Sequence, residues 1–184
     1  MGHRGQTRGA VPSVAIFGCG RIGSALDEAL DQPVVLSHAG AVAAHAGFDL
    51  VALCDPDPIR LTEAGDARGV SARFATPTEL LDNVQVDVAV LCGPTHTRLN
   101  TARACLNAGV SALVLEKPLA PNLPEAEEIA RLVSAHEVVS SVNFLRRFCP
   151  PLQSIAAALR AGELGDVQVI TAHYGKGLNN NGSH

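Results

Sequence analysis

Short apolar runs at 14–17, 50–54, 86–91, 112–115 and 138–142 recur along the chain, with helix-length segments between them. This alternation constrains the fold more than any other feature. The runs are rich in Val, Leu, Ile and Ala, as strands covered on both faces are. Helical stretches fall near 58–66, 77–82, 97–108, 122–136 and 151–161. Strands alternating with helices imply a parallel sheet, and repeated crossovers wind it into a doubly wound α/β domain.

The sheet pattern ends near Leu145, so residues 13–145 read as that domain and residues 1–12 as a flexible tail carrying Arg4 and Arg8. Pro150-Pro151 then opens a helix, Gly162 and Gly165 punctuate, and 167–174 reads as one more strand. A single helix and strand cannot bury a core of their own, and a lone strand presents two unpaired edges. Residues 146–184 are therefore expected to be the start of an incomplete α/β C-terminal domain. The run Asn179-Asn180-Asn181-Gly182 is a turn cluster.

Composition removes several function classes. With 14 basic against 18 acidic residues, no Trp and one Tyr, the chain has neither the basic surplus nor the stacking aromatics of a nucleic-acid binder. No apolar run approaches the roughly 18 residues of a membrane span, and the first twelve residues lack the apolar core of a secretory signal. The cysteines Cys19, Cys54, Cys92, Cys105 and Cys149 are widely spaced and odd in number, which suits reduced thiols in a cytoplasmic protein. His38 and His45 lie seven apart without a third ligand, so they read as surface or helix-end histidines and no metal site is expected.

Gly18-Cys19-Gly20-Arg21-Ile22-Gly23 follows the first strand and opens a helix. A bare match to this spacing is weak, but its place in the first βα turn makes it a dinucleotide motif of the Rossmann kind. Gly18 allows the tight turn, Gly20 lets backbone approach a pyrophosphate, and Gly23 lets helix and strand pack closely. The free N–H groups around Arg21 and Ile22 then meet the phosphates. The alternative is a glycine turn needed for packing alone. Asp55 ends the second strand, where a carboxylate binds the adenosine ribose diol and repels a 2′-phosphate, so NAD is favoured; Arg60 keeps NADP open.

Only two lysines occur, Lys117 and Lys176. Lys117 sits in Glu116-Lys117-Pro118, where a core strand ends, and ligands of open α/β sheets bind outside the carboxyl ends of strands. An ammonium there would stabilise the alkoxide that develops as a hydride leaves. A charged strand end followed by a turn proline fits the same residues, and position alone leaves both open.

The glycine loop, Asp55, Gly93-Pro94-Thr95-His96, Glu116-Lys117-Pro118-Leu119-Ala120 and Val142-Asn-Phe-Leu-Arg-Arg147-Phe-Cys-Pro150 stand in the order and spacing of one family. From about residue 13 to 184 the chain resembles the glucose–fructose oxidoreductase / inositol dehydrogenase family, known as Gfo/Idh/MocA. The resemblance implies a Rossmann domain followed by a C-terminal α/β domain whose open sheet carries substrate residues and the contacts of a homo-oligomer. It also implies nicotinamide-dependent chemistry at a carbinol carbon of a sugar, polyol or related small molecule. Lys117 inherits contact with the reacting hydroxyl. Pro94 and His96 become cofactor neighbours, Glu116 lies near the nicotinamide ribose, and Arg147 belongs to a block beside the substrate cleft. His184 aligns with the family's acid/base histidine, and Asn180 replaces the Asp that often assists it. Arg98 stands where many members have a histidine.

These features predict an NAD(P)-dependent oxidoreductase. The departures at Asn180 and Arg98 and the early end motivate the alternative, a non-catalytic nucleotide-binding module such as a ligand-sensing regulator or a truncated remnant. A weaker third idea is an interaction subunit completed by another chain's sheet.

Overall fold

In the unit Met1–Asn143 the apolar runs become strands of one six-stranded sheet. The computed structural model describes residues 11–27 and 34–173. The strands are β1 (Ser13–Phe17), β2 (Asp49–Cys54), β3 (Arg73–Phe74), β4 (Val88–Leu91), β5 (Ala112–Leu115) and β6 (Val139–Val142). Their spatial order is β3-β2-β1-β4-β5-β6, and every neighbouring pair is parallel. This is the doubly wound order in which the direction of winding reverses between β1 and β4.

The helices are α1 (His38–Ala44), α2 (Pro58–Arg68), α3 (Pro77–Asn83), α4 (Arg98–Asn107) and α5 (Leu123–Ala135). Polar side chains start them where the sequence turns. Asp57 accepts the N–H groups of Ile59 and Arg60 at the head of α2. Thr76 and Glu79 close a reciprocal capping box on α3, and Asn122 caps α5. Each arrangement satisfies backbone donors that a helix leaves open in its first turn.

Both faces of the sheet are buried, as the near-continuous apolar runs require. Ala15 and Phe17 of β1 pack with Leu80 of α3, Cys105 and Leu106 of α4 and Ile129 of α5. Val14 and Ile16 point to the other face and pack with Ala39 of α1 and Ala64 of α2. Burial falls off toward β6, whose Val139, Ser140 and Ser141 are exposed.

The strand register aligns the carboxyl ends. Phe17 pairs with Cys54 and Leu91, Leu91 with Leu115, and Leu115 with Val142. The residues that follow each strand therefore form the next row along the edge: Asp55, Gly18, Cys92, Glu116 and Asn143.

Two details depart from the sequence reading. β3 was not expected, since two residues leave no pattern to read. The helix expected after the glycine loop is a single π-type turn, Arg21–Ala25, within the described residues. The first unit ends at Asn143, close to the boundary expected near Leu145.

In the second unit, Phe144–His184, a 3-10 turn at Leu145–Phe148 leads into α6 (Pro150–Arg160). The helix agrees with the expected 151–161. The strand expected over 167–174 does not form in its described part, 167–173, which has no strand partner. An extended segment without a neighbour has no ladder to join. Most of the expected tail, and the turn cluster at 179–182, lie outside the described residues.

Ile16 is completely buried in the centre of the sheet. Ile16→Ala is expected to cost about 2–5 kcal/mol, the usual range for emptying such a site. Urea denaturation checks this, with a fall in midpoint at unchanged slope as the expected result.

Candidate cofactor site

The glycine loop begins at the end of β1. Gly18 has φ of 106°, and its N–H donates to Cys54 O at 2.7 Å. A Cβ on Gly18 would stand 2.5 Å from Gly93 N, so the loop lies directly on the chain leaving β4. A Cβ on Gly23 would run into the Gly18 carbonyl oxygen. Gly20 differs from both, since a Cβ there would meet nothing within 4 Å. Gly18 thus lays the turn on the β4 chain, Gly23 closes the turn on itself, and the middle glycine faces open space.

Asp55 is buried at the end of β2. Its Oδ2 accepts the Cys19 N–H at 2.7 Å and its Oδ1 accepts the Asp57 N–H at 2.9 Å. The carboxylate therefore ties the glycine loop to the start of α2, and each oxygen keeps one further lone pair. Arg60, the residue that kept NADP open, pairs with Asp57 at 3.3 Å.

Cys19, Gly20, Arg21, Ser24, Ala25, Arg60, Glu63 and Ala64 line a cleft of about 270 Å³ between the loop and α2. Ser24 Oγ is buried on this wall without a hydrogen-bond partner. A free glycine face, a run of first-turn N–H groups and an orphaned hydroxyl together fit a phosphate-bearing ligand. The N–H groups of the first turn supply the positive field there. A larger cleft of about 330 Å³ lies at the other end of the sheet, lined by residues 81–87 and 108–110. Those segments precede β4 and β5, away from the carboxyl edge where ligands of such sheets bind.

At the end of β5, Glu116 is only 5% exposed. Its Oε1 lies 2.9 Å from His38 Nε2 and accepts from Asn143 Nδ2 at 2.6 Å, and its Oε2 accepts the Lys117 N–H at 3.2 Å. Burial pushes the carboxyl pKa up, but the hydrogen bonds from Asn143, His38 and Lys117 outweigh it and hold it below the ordinary carboxylate range. Lys117 itself is exposed at the edge, as are Pro94 and His96 on the turn after β4.

Arg98 is buried and joins the β4 and β5 loops. It donates through Nη2 to Gly93 O at 3.1 Å, and through Nη1 to Pro118 O and to Leu119 O at 3.3 Å. Burial lowers its pKa while the nearby Glu116 pulls it the other way. Asp27 holds the chain's return into α1, accepting from Ser37 N at 2.7 Å and from Arg68 Nη2 at 2.6 Å.

The structure thus brings Gly18, Gly20, Arg21, Ile22, Gly23, Asp55, Pro94, His96, Glu116 and Lys117 to one edge of one sheet. Arg147 belongs to the second unit, on the turn before α6, where its carbonyl accepts from Gln153 Nε2 at 3.1 Å. His184 and Asn180 lie outside the described residues. Sequence reasoning gave no role to Asn143, Ser24 or Asp27. It read His38 as a surface or helix-end histidine; the residue does open α1, and the structure adds the contact of its ring with Glu116. Among the described residues no cluster of three or more His, Cys, Asp or Glu could hold a metal. All five cysteines are unpaired, and burial pushes the Cys19 thiol up to about 12.

The model of the Gfo/Idh/MocA family, described as an oxidoreductase family with an NAD-binding Rossmann fold, matches residues 13–144. The chain belongs to the Gfo/Idh/MocA family. It is 28% identical over 156 residues to an inositol 2-dehydrogenase of Rhizobium meliloti (strain 1021), covering 85% of this chain and 43% of the relative. It is 36% identical over 131 residues to inositol 2-dehydrogenase 1 of Saccharopolyspora erythraea, covering 68% and 37%. The solved scyllo-inositol dehydrogenase of Lactobacillus casei, with NAD(H) and scyllo-inositol bound, superposes with a TM-score of 0.73 at 22% identity, over 85% of this chain and 43% of that one. That likeness shows the shared fold. This Gfo/Idh/MocA chain spans about two-fifths of the length of these relatives. No helix among its described residues is long and apolar enough to cross a membrane.

Because the native pKa of Glu116 is depressed, its contribution to stability is fully present above the ordinary carboxylate range and is lost as pH falls through the native value. Glu116→Gln should therefore be less stable than the parent at neutral pH by about 1–3 kcal/mol. The difference should close as the pH is lowered below the carboxylate range. Melting curves of both proteins across pH check this.

Proposed function

We propose that this chain binds a nicotinamide dinucleotide, NAD(H), across the carboxyl edge of its sheet and serves hydride transfer at a carbinol carbon of a sugar, polyol or related small molecule. The observation that carries this reading is the glycine loop, whose open middle position faces the cleft beside the β1–β4 reversal point. The family match and the inositol dehydrogenases among the relatives support the substrate class. No observation favours the alternative of a non-catalytic nucleotide-binding module.

In this reading the N–H groups of the Arg21–Gly23 turn and the Ser24 hydroxyl hold the diphosphate. The remaining lone pairs of Asp55 take ribose hydroxyls, and its charge disfavours a 2′-phosphate. Because Asp57 already pairs with Arg60, the one cation that kept NADP open is partly neutralised. Pro94 and His96 border the nicotinamide half, with Glu116 beside its ribose. The bound nicotinamide supplies the hydride acceptor or donor. Lys117, exposed where β5 ends, donates to the reacting oxygen and stabilises the negative charge that develops there. His184 moves the proton, Asn180 stands in for the assisting carboxylate, and Arg147 contributes to the substrate side.

Gly20→Val tests the cofactor site with little risk to the fold, because its side chain would enter open space. The variant should melt near the parent and lose NADH binding by at least about tenfold in a fluorescence titration. Lys117→Ala should bind NADH as the parent does. Undiminished binding by Gly20→Val would overturn the placement.

A further inference from the structure

Two residues outside the glycine loop and the Glu-Lys-Pro block meet at Glu116. His38 opens α1, 78 positions before the carboxylate, and Asn143 follows β6, 27 positions after it. The main chain of Asn143 is itself fixed, since its N–H donates to Leu115 O at 2.8 Å. The head of α1 is fixed through Asp27, which grips Ser37, and through the Ser37 hydroxyl, which accepts the Gly40 N–H at 3.0 Å.

The chemistry of the trio settles the proton on the ring. A carboxylate oxygen offers lone pairs only, so His38 Nε2 must carry hydrogen to lie 2.9 Å from it. The 3.3 Å approach of Asn143 Nδ2 to the same ring nitrogen is then donor beside donor, and both groups aim at Oε1. Oε1 is thereby filled. Among the described residues Oε2 accepts only the Lys117 N–H and keeps a lone pair for one more donor. A carboxylate this buried needs partners to remain charged, and among the described residues no Lys or Arg side chain is hydrogen-bonded to it.

We propose that His38 and Asn143 are positioning residues that lock the Glu116 side chain so that the end of β5 offers the nicotinamide half of the cofactor one fixed carboxylate oxygen, an inference that rests on the cofactor reading above. The donor for that oxygen is a ribose hydroxyl. Neither residue touches the cofactor; both act through Glu116.

The test compares NADH with ADP, which lacks the nicotinamide half, on the full chain. His38→Leu keeps the bulk and removes the donor, His38→Gln restores an N–H at similar reach, and Asn143→Ala removes the second donor. His38→Leu and Asn143→Ala should each weaken NADH binding about tenfold while ADP binding stays within about twofold, and His38→Gln should recover most of the loss. Long-range ¹H–¹⁵N spectra of the parent should show His38 protonated at Nε2. Equal weakening of NADH and ADP would reduce the trio to a structural role and overturn the inference, as would unchanged NADH binding in both donor-deleted variants or a ring deprotonated at Nε2. Should His38→Leu fail to fold, Asn143→Ala and the parent spectra decide alone. A parent that binds neither ligand would instead refute the cofactor reading, and the inference with it.

Discussion

Everything at the candidate site follows from one constraint, the in-line register of parallel strands. Phe17, Cys54, Leu91, Leu115 and Val142 occupy one row of the ladder, so the next residue of each strand leaves the sheet at the same height. Polar and glycine residues collect there because each strand must end where its apolar run stops. Gly18, Asp55, Glu116 and Asn143 are spread over 126 positions of sequence, yet form a continuous edge. The two helical layers keep that edge in place by burying both faces of the strands behind it.

Charge buried at this edge is held by the main chain as much as by ion pairs. Asp55 accepts two backbone N–H groups, Arg98 donates to three backbone carbonyls, and Glu116 takes one backbone and two side-chain donors. Leaving such a group unpaired would cost more than the bonds contribute on balance. The carboxylates and the guanidinium therefore set the spacing of the loops they join. Arg98 shows this directly. Its forked guanidinium reaches the β4 turn and the Glu-Lys-Pro segment together, keeping the turn that carries Pro94 and His96 beside the one that carries Lys117.

The central strands, most helices and the glycine loop were legible in the sequence, because each depends on a local pattern. Val14 to Phe17 are apolar on both faces, and Pro150 marks a helix start that the structure keeps. What was not legible depends on partners far away in sequence. β3 exists because Arg73 and Phe74 meet Leu53 and Cys54, and nothing in two residues announces that. His38 stands at a helix end as expected, but its contact with Glu116, 78 positions away, was not legible. Asp55 was read for its reach toward ribose, whereas much of its bonding holds the glycine loop. The extended look of 167–173 reflects its Val and Ile content, and β propensity without a neighbouring strand does not make a ladder.

The account stands on a dinucleotide lying along the carboxyl edge, and amide-resolved NMR during an NAD titration tests that most directly. The amides of Cys19 to Ser24, of Asp55 and Asp57, and of Gly93, Thr95 and His96 should shift together in one saturable process, while those at 81–87 and 108–110 at the opposite end stay still. Saturable shifts confined to the opposite cleft, or none along the glycine loop, would contradict it.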